Sequence, residues 1–266
     1  SICHAFCTMP TGGFSTQNGS IAQFHSAYFE AVITFFMILA GVNFSLHFKF
    51  LKGDLKVFGR DPECRVFLLI LAFLVLMVTV NTYGSVYSSI VSAFRYAAFQ
   101  VTSILTTTGF VTSNYAQWPA LSKIILLLCM FLGAMAGSTG GAIKIMRIIL
   151  LVKHGFREIF SLIHPHAVRS IKLGGKSVPP EVLNSIWGFF ILYLGLFIFA
   201  VIIMSSLGLD TMTSFASVAA TIGNVGPGLG LVGPVNNYLP VPDLGKWVLI
   251  FCMILGRLEI YTVIII

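Results

Sequence analysis

Apolar residues run in long blocks, unlike the two-residue alternation of a half-buried strand or the one-sided stripe of a surface helix. A helix needs about 20 mostly apolar residues to cross the hydrocarbon core of a bilayer. Five stretches predict spans or near-spans: 22–48, 66–87, 120–152 with a break inside, 182–207 and 244–266. The stretch 88–117 is too polar for a full crossing, yet the basic segments on either side require a return trip, so the chain re-enters there. Half-helices are expected over 90–105 and 211–220, short and rich in small residues, with Asp210 placed to cap the second. The first residues read as the end of a similar re-entrant piece, and the sequence is expected to belong to a longer membrane protein.

Lys49, Lys52, Lys56, Arg60 and Arg65 follow the first block, and Lys144, Arg147, Lys153, Arg157, Arg169, Lys172 and Lys176 lie at and after the broken third one. Cations collect in cytoplasmic segments of membrane proteins, so both segments are assigned to that side. Twelve of the sixteen cations are then explained by topology, and the net charge of +7 does not call for nucleic acid. Composition agrees. With 57% hydrophobic and only 9% charged residues, the chain cannot cover itself with a water-facing surface, which excludes a soluble enzyme and a disordered tail. Lys153 to Pro180, with a turn at Gly174-Gly175, is read as a basic cytoplasmic segment near anionic headgroups.

A repeat underlies this layout. Three Thr/Gly-rich stretches each precede a polar stretch and a span: Thr8-Met9-Pro10-Thr11-Gly12-Gly13-Phe14-Ser15, Thr106-Thr107-Thr108-Gly109-Phe110-Val111 and Thr221-Ile222-Gly223-Asn224-Val225-Gly226-Pro227-Gly228. Matching Gly13, Gly109 and Gly223 puts Thr11, Thr107 and Thr221 two positions earlier in each copy. Irregular backbone at membrane depth is tolerated where protein buries it or where it lines a water-filled path. Glycine opens backbone angles closed to other residues, and rings of carbonyls can replace the hydration shell of a cation. A hydroxyl-bonded turn at a span end would explain one copy, but three with matching flanks favour a filter.

Two features lie below such a filter. The run Gly133 to Gly141 puts four glycines, each costing about 1 kcal/mol against alanine in a helix interior, into what would otherwise be one helix. It predicts a flexible loop, with a small-residue packing face as the alternative. Arg257 sits inside the final block, where a central cation costs about 2.5 kcal/mol or more. It must face protein or water: either it repels cations below the filter or it pairs with another helix. Glu259 lies on a different face.

At these residues the chain resembles the superfamily of potassium transporters that includes the Trk, Ktr and fungal Trk proteins. It is most similar to the bacterial Trk membrane subunits of the TrkH and TrkG kind. The resemblance rests on Met9-Pro10-Thr11-Gly12-Gly13-Phe14-Ser15-Thr16, Thr106 to Phe110, Ala136-Gly137-Ser138-Thr139-Gly140-Gly141-Ala142-Ile143-Lys144, Thr221 to Gly228 and Gly256-Arg257-Leu258-Glu259. It implies an all-α polytopic membrane protein of helix, re-entrant pore helix, helix units around a pseudo-fourfold pore, the first repeat lying outside this sequence. On that reading 1–48 holds the end of the second pore helix, filter 2 and a span, and 49–65 is a cytoplasmic loop. The stretch 66–152 is the third repeat, 153–181 a cytoplasmic segment and 182–266 the fourth repeat.

The resemblance implies potassium uptake across the bacterial inner membrane, with K+ as the transported ion and no covalent cofactor. The implied filter is Thr11, Gly12, Gly13 and Phe14, then Thr107, Thr108, Gly109 and Phe110, then Thr221, Ile222, Gly223, Asn224 and Val225. K+ would be held at Thr11, Gly12, Thr107, Thr108, Thr221 and Ile222. The implied gate is Gly137, Ser138, Thr139, Gly140 and Gly141 with Arg257, and the implied partners are a homodimer mate and a cytosolic nucleotide-binding ring of TrkA type. Two other readings stay open. One is a potassium symporter coupled to H+ or Na+. The other is a membrane enzyme using the Gly-Ser-Thr-Gly stretch and the histidines.

Cys3, Cys7, Cys64, Cys129 and Cys252 are scattered and suggest neither a disulfide framework nor zinc. His164 and His166 lack a third ligand, and Glu30, Asn43 and Arg95 are expected to find internal partners.

Overall fold

A computed structural model describes residues 2–164 and 170–258. Glu259, Arg169, His166 and the predicted end of the last span lie outside the described residues.

The described chain is helical. In order it forms α1 (Ile2–Thr8), α2 (Ala27–Gly41), α3 (Phe44–Leu51), α4 (Val57–Arg60), α5 (Pro62–Thr82), α6 (Ile90–Leu105), α7 (Ala120–Phe131) and α8 (Ile145–Ile163). A two-residue hairpin, β1 (Lys172–Leu173) and β2 (Lys176–Ser177), turns at Gly174-Gly175 and leads into α9 (Pro180–Ser206), α10 (Thr211–Ile222) and α11 (Asp243–Arg257). Helices α5 and α9 are long and apolar enough to cross a membrane, with mean hydropathies of 2.4 and 2.7. Their starts are set by local chemistry. Asp61 accepts the Cys64 N–H at 2.8 Å with Pro62 in the first turn, so α5 begins before the predicted 66, and α9 likewise opens on a proline.

The half-helices fall where the sequence placed them. α6 covers 90–105 as predicted, and α10 runs two residues beyond 211–220, its N-terminus capped by Asp210 accepting from the Thr213 N–H at 3.1 Å. Their last turns are buried on all sides, from Phe99 to Leu105 and from Ala216 to Ile222. The hydroxyls there bond back into their own helices, as Thr106 does to the Thr102 carbonyl and Thr221 to that of Ser217, both at 2.7 Å. α6 packs between α2, α5 and α7, while α10 packs between α7, α9 and α11.

Two predicted blocks are not single helices. The block 22–48 divides into α2 and α3, which meet at 100° across Val42-Asn43. The reason is tertiary: the Ala40 and Gly41 carbonyls, which a continuing helix would use, accept the amides of Thr139 and Met135 at 3.4 and 3.1 Å. Asn43 then starts α3 by accepting the Ser45 N–H at 2.8 Å. The block 120–152 stops at Phe131 and resumes at Ile145, so the break predicted over 133–141 is the thirteen residues 132–144.

The expected internal partners are present for two charged residues: Arg95 Nε lies 3.0 Å from the buried Glu30 Oε2. Contact between α5 and α8 brings the end of the first basic segment beside the start of the second.

Candidate functional site

Each re-entrant helix ends in the same turn. The amides of Thr11, Gly12 and Gly13 bond to the carbonyls of Thr8, Cys7 and Cys7. Those of Thr107, Thr108 and Gly109 bond to Ile104, Ser103 and Ser103, and those of Asn224, Val225 and Gly226 to Thr221, Ala220 and Ala220. The first and third residues of every set are left-handed: Thr11 at φ 53° and Gly13 at 64°, Thr107 at 58° and Gly109 at 84°, Asn224 at 55° and Gly226 at 101°. Three repeats of one hydrogen-bond pattern with one pair of left-handed angles define the correspondence more firmly than residue identity does.

This corrects the sequence register of the third copy by three residues. Thr221 and Ile222 are the last two residues of α10, and Gly223 is its C-cap in right-handed helical geometry, φ −76° and ψ −11°. Gly223 is small because a Cβ there would overlap the Met130 carbonyl, not because of its φ. The counterparts of Thr107 and Thr108 are Asn224 and Val225. Matching on threonine went astray because the left-handed position is filled by Asn, which takes that conformation more readily than a β-branched residue.

The segments pack in succession. A Cβ on Gly13 would overlap the Thr108 carbonyl oxygen, and one on Gly109 would overlap that of Val225, so each glycine admits the equivalent carbonyl of the next copy. Among the described residues, the carbonyls of Gly12, Thr108 and Val225 accept no hydrogen bond. The middle segment is enclosed: Thr107, Thr108 and Phe110 are buried, whereas the counterpart Phe14 is 76% exposed. Phe14, Thr11 and Gly12 face Asn224, Val225 and Gly226 across a groove of about 730 Å³.

Bonds from behind fix the outer carbonyls. Ser103 donates to Phe110 at 2.7 Å, Tyr238 to Gly226 at 2.6 Å and Tyr115 to Pro227 at 3.3 Å. Sequence reading passed over these three residues, and nothing local distinguishes them.

Beneath the segments lies the loop 132–144, closed on itself by the Gly133 N–H to Ile143 and the Ile143 N–H to Phe131, at 2.8 and 3.1 Å. The left-handed residues above reach down to what supports them. Thr11 Oγ1 donates to the Thr139 carbonyl at 2.9 Å, Thr107 Oγ1 accepts the Gly141 N–H at 2.7 Å, and Asn224 Nδ2 donates to Met253 of α11 at 3.1 Å. Thr139 Oγ1 donates to Met9 at 3.0 Å, and Lys144 Nζ bonds the Gly140 carbonyl. The predicted flexible loop is thus pinned along its length.

Arg257 joins this contact. Its guanidinium donates to the Thr139 carbonyl at 2.8 Å, so the partner is a loop carbonyl rather than the carboxylate of another helix. Arg257 lines both the upper groove and a second cavity of about 330 Å³ on the other side of the loop, shared with Gly137 to Ala142 and Phe189. Arg257 is common to the two spaces.

Elsewhere the sequence motifs stay apart. All five cysteines are free, and among the described residues no three His, Cys, Asp or Glu side chains come together as a metal site.

Comparison with known proteins gives a consistent result. Residues 1–266 match the family model TrkH, described as a cation transport protein. The chain is 43% identical to the Trk system potassium uptake protein TrkH of Escherichia coli K12, over all of this chain and 55% of that protein. It is 38% identical to TrkG of the same strain, again over its full length and 54% of the relative. The crystal structure of the potassium transporter TrkH from Vibrio parahaemolyticus superposes with a TM-score of 0.93 at 41% identity, covering 99% of this chain and 57% of that one. The chain therefore spans about half the length of the curated relatives it matches.

Proposed function

The chain belongs to the TrkH family of cation transport proteins, and on that basis we propose that it forms three of the four sides of a potassium pathway with a gate beneath its filter. It is a membrane protein, and we assign it to the bacterial inner membrane. The observation that carries the reading is the threefold recurrence of one backbone turn, with the glycines of the first two copies each seated against the next copy's carbonyl. A dehydrated cation needs several carbonyl oxygens at close range, and the unpaired carbonyls of Gly12, Thr108 and Val225 can supply them. The groove between Phe14 and Gly226 is the side on which a fourth unit completes the ring.

On this reading K+ is the transported ion, held at Thr11 and Gly12, at Thr107 and Thr108, and at Asn224 and Val225. Thr221 and Ile222 support the third set from the end of α10. Gly137 to Gly141 and Arg257 form the gate, because a fixed positive charge bonded to the loop repels a cation leaving the filter. The basic face with α8 and the hairpin is assigned to the cytoplasm, where a nucleotide-binding ring of TrkA type and a second membrane subunit would dock.

The test is rubidium flux into proteoliposomes holding the full-length transporter, with sodium as competitor, in wild type and Arg257→Ala. Potassium-like selectivity together with a basal flux raised about tenfold, the weight of one charge-assisted hydrogen bond, is the expected result. Selective flux that Arg257→Ala leaves unchanged would remove Arg257 from the gate. Flux that requires a proton or sodium gradient would make the protein a symporter.

A further inference from the structure

Glu63 is a buried carboxylate with no place in the pathway described so far. It lies in the first turn of α5, whose own cap is Asp61, so its side chain is free to serve another element. Its Oε1 accepts two backbone amides, from Ala136 at 2.8 Å and from Met146 at 3.0 Å. These residues flank the gate segment on either side. Met146 is also in the first turn of α8, a helix whose preceding residue, Lys144, makes no side-chain cap. The first amides of a helix need acceptors, and a negative charge is favoured there. Glu63 therefore supplies from α5 the cap that the sequence before α8 lacks, and with the same oxygen closes the neck of the loop that carries Gly137 to Gly141.

We propose that Glu63 is a positioning residue for the gate: by joining Ala136 to Met146 it holds the loop under the filter, in reach of Thr11, Thr107 and Arg257. The proposal rests on the gate reading above. It also makes a claim independent of flux, because the bonds to Glu63 set how readily the loop opens.

The experiment compares wild type, Glu63→Ala, Glu63→Asp and Glu63→Gln in the full-length transporter, with Arg257→Ala alongside. Amide hydrogen exchange over 133–146 is one readout, and basal rubidium flux is the other. Glu63→Ala should speed exchange of the Ala136 and Met146 amides about tenfold or more and raise basal flux by a similar factor, as loss of charge-assisted bonds implies. Aspartate keeps the charge but is one methylene short and should follow alanine. Glutamine keeps the acceptor oxygen without the charge and should shift both readouts by no more than about threefold.

Unchanged exchange in Glu63→Ala overturns the proposal whatever the flux. Aspartate behaving as wild type while glutamine behaves as alanine also overturns it, since charge rather than the paired bonds would then be at work. Faster exchange without added flux, while Arg257→Ala does raise flux, leaves the gate reading standing and removes Glu63 from it. If neither variant raises flux, the gate reading fails and this one with it. Should Glu63→Ala not fold, the aspartate and glutamine variants decide by the same readouts.

Discussion

The three glycine-rich turns that end α1, α6 and α10 and the loop 132–144 are all non-helical chain, and they are held in opposite ways. Each turn is shaped by the helix it ends: its three amides return to carbonyls three to six residues earlier, and its left-handed residues sit at fixed places in it. The loop 132–144 makes few such returns. Its amides and carbonyls are satisfied by α2, by Thr107, by Glu63 and by Arg257, which lie far away in the chain. A local turn can recur with changed residues, which is why Asn224 can stand where Thr11 and Thr107 stand. A loop built from distant partners has no repeat of itself in this chain, and its shape depends on each partner separately.

Substitutions can break this contrast. The largest effect is expected for Gly109→Ala. An L-residue in the left-handed region costs about 1–2 kcal/mol, and here the new methyl also overlaps the Val225 carbonyl. Preference for rubidium over sodium should fall about tenfold or more, with 1.4 kcal/mol worth about a factor of ten. Competition flux measures it, and retained preference would show that this carbonyl ring does not select.

Thr107→Val sharpens the comparison. It keeps the β-branched shape at φ 58° and removes only the oxygen that accepts the Gly141 N–H. An unpaired buried amide costs about 1–3 kcal/mol, so basal flux should rise severalfold with selectivity intact. If selectivity falls as far as in Gly109→Ala, filter and loop are one unit and the contrast fails.

The smallest effect concerns the support of one segment from its far end. Asp210→Ala removes the cap of α10, about 1 kcal/mol at most in so exposed a place. The melting temperature should drop by about 2–4 °C with flux and selectivity unchanged. Hydrogen bonds from the Thr213 side chain and backbone hold the Asp210 carboxyl below its ordinary value. A depressed carboxyl stabilises the fold above its unfolded pKa, and that contribution disappears as pH falls through the folded one. The gap in melting temperature between wild type and variant should therefore be full near neutrality and close in acid.

Much of the fold was legible because lipid imposes simple rules. Block length marked α5 and α9, the polar gap located α6, and Asp210 marked the start of α10. Glycine-rich irregularity and a cation in an apolar block pointed to Thr11, Gly13, Thr107, Gly109 and Arg257, of which the first four take the left-handed positions of two equivalent turns and the last bonds the loop carbonyl of Thr139. Thr221 and Gly223 were matched to Thr107 and Gly109, whose geometric counterparts are Asn224 and Gly226, because threonine was matched where backbone angle was the shared property. The bend between α2 and α3 was missed because no proline or glycine pair announces it; it exists because Met135 and Thr139 occupy the carbonyls a straight helix would use.

The sequence by itself determined which segments dissolve in lipid, which end of the molecule carries the positive charge, where α6 stops, and that glycine-rich chain follows the short helices. These are properties of neighbours within about one turn, where composition and spacing act directly. Only the tertiary structure decided which residues of successive turns lie against one another, what shape the loop takes, that Arg257 bonds to Thr139, and that Glu63 bonds to Ala136 and Met146. The bonds of the loop to Thr107, Glu63, Arg257 and Thr11 join residues 34 to 128 positions apart, and a hydrogen bond at that separation depends on how the helices pack, which no local pattern encodes.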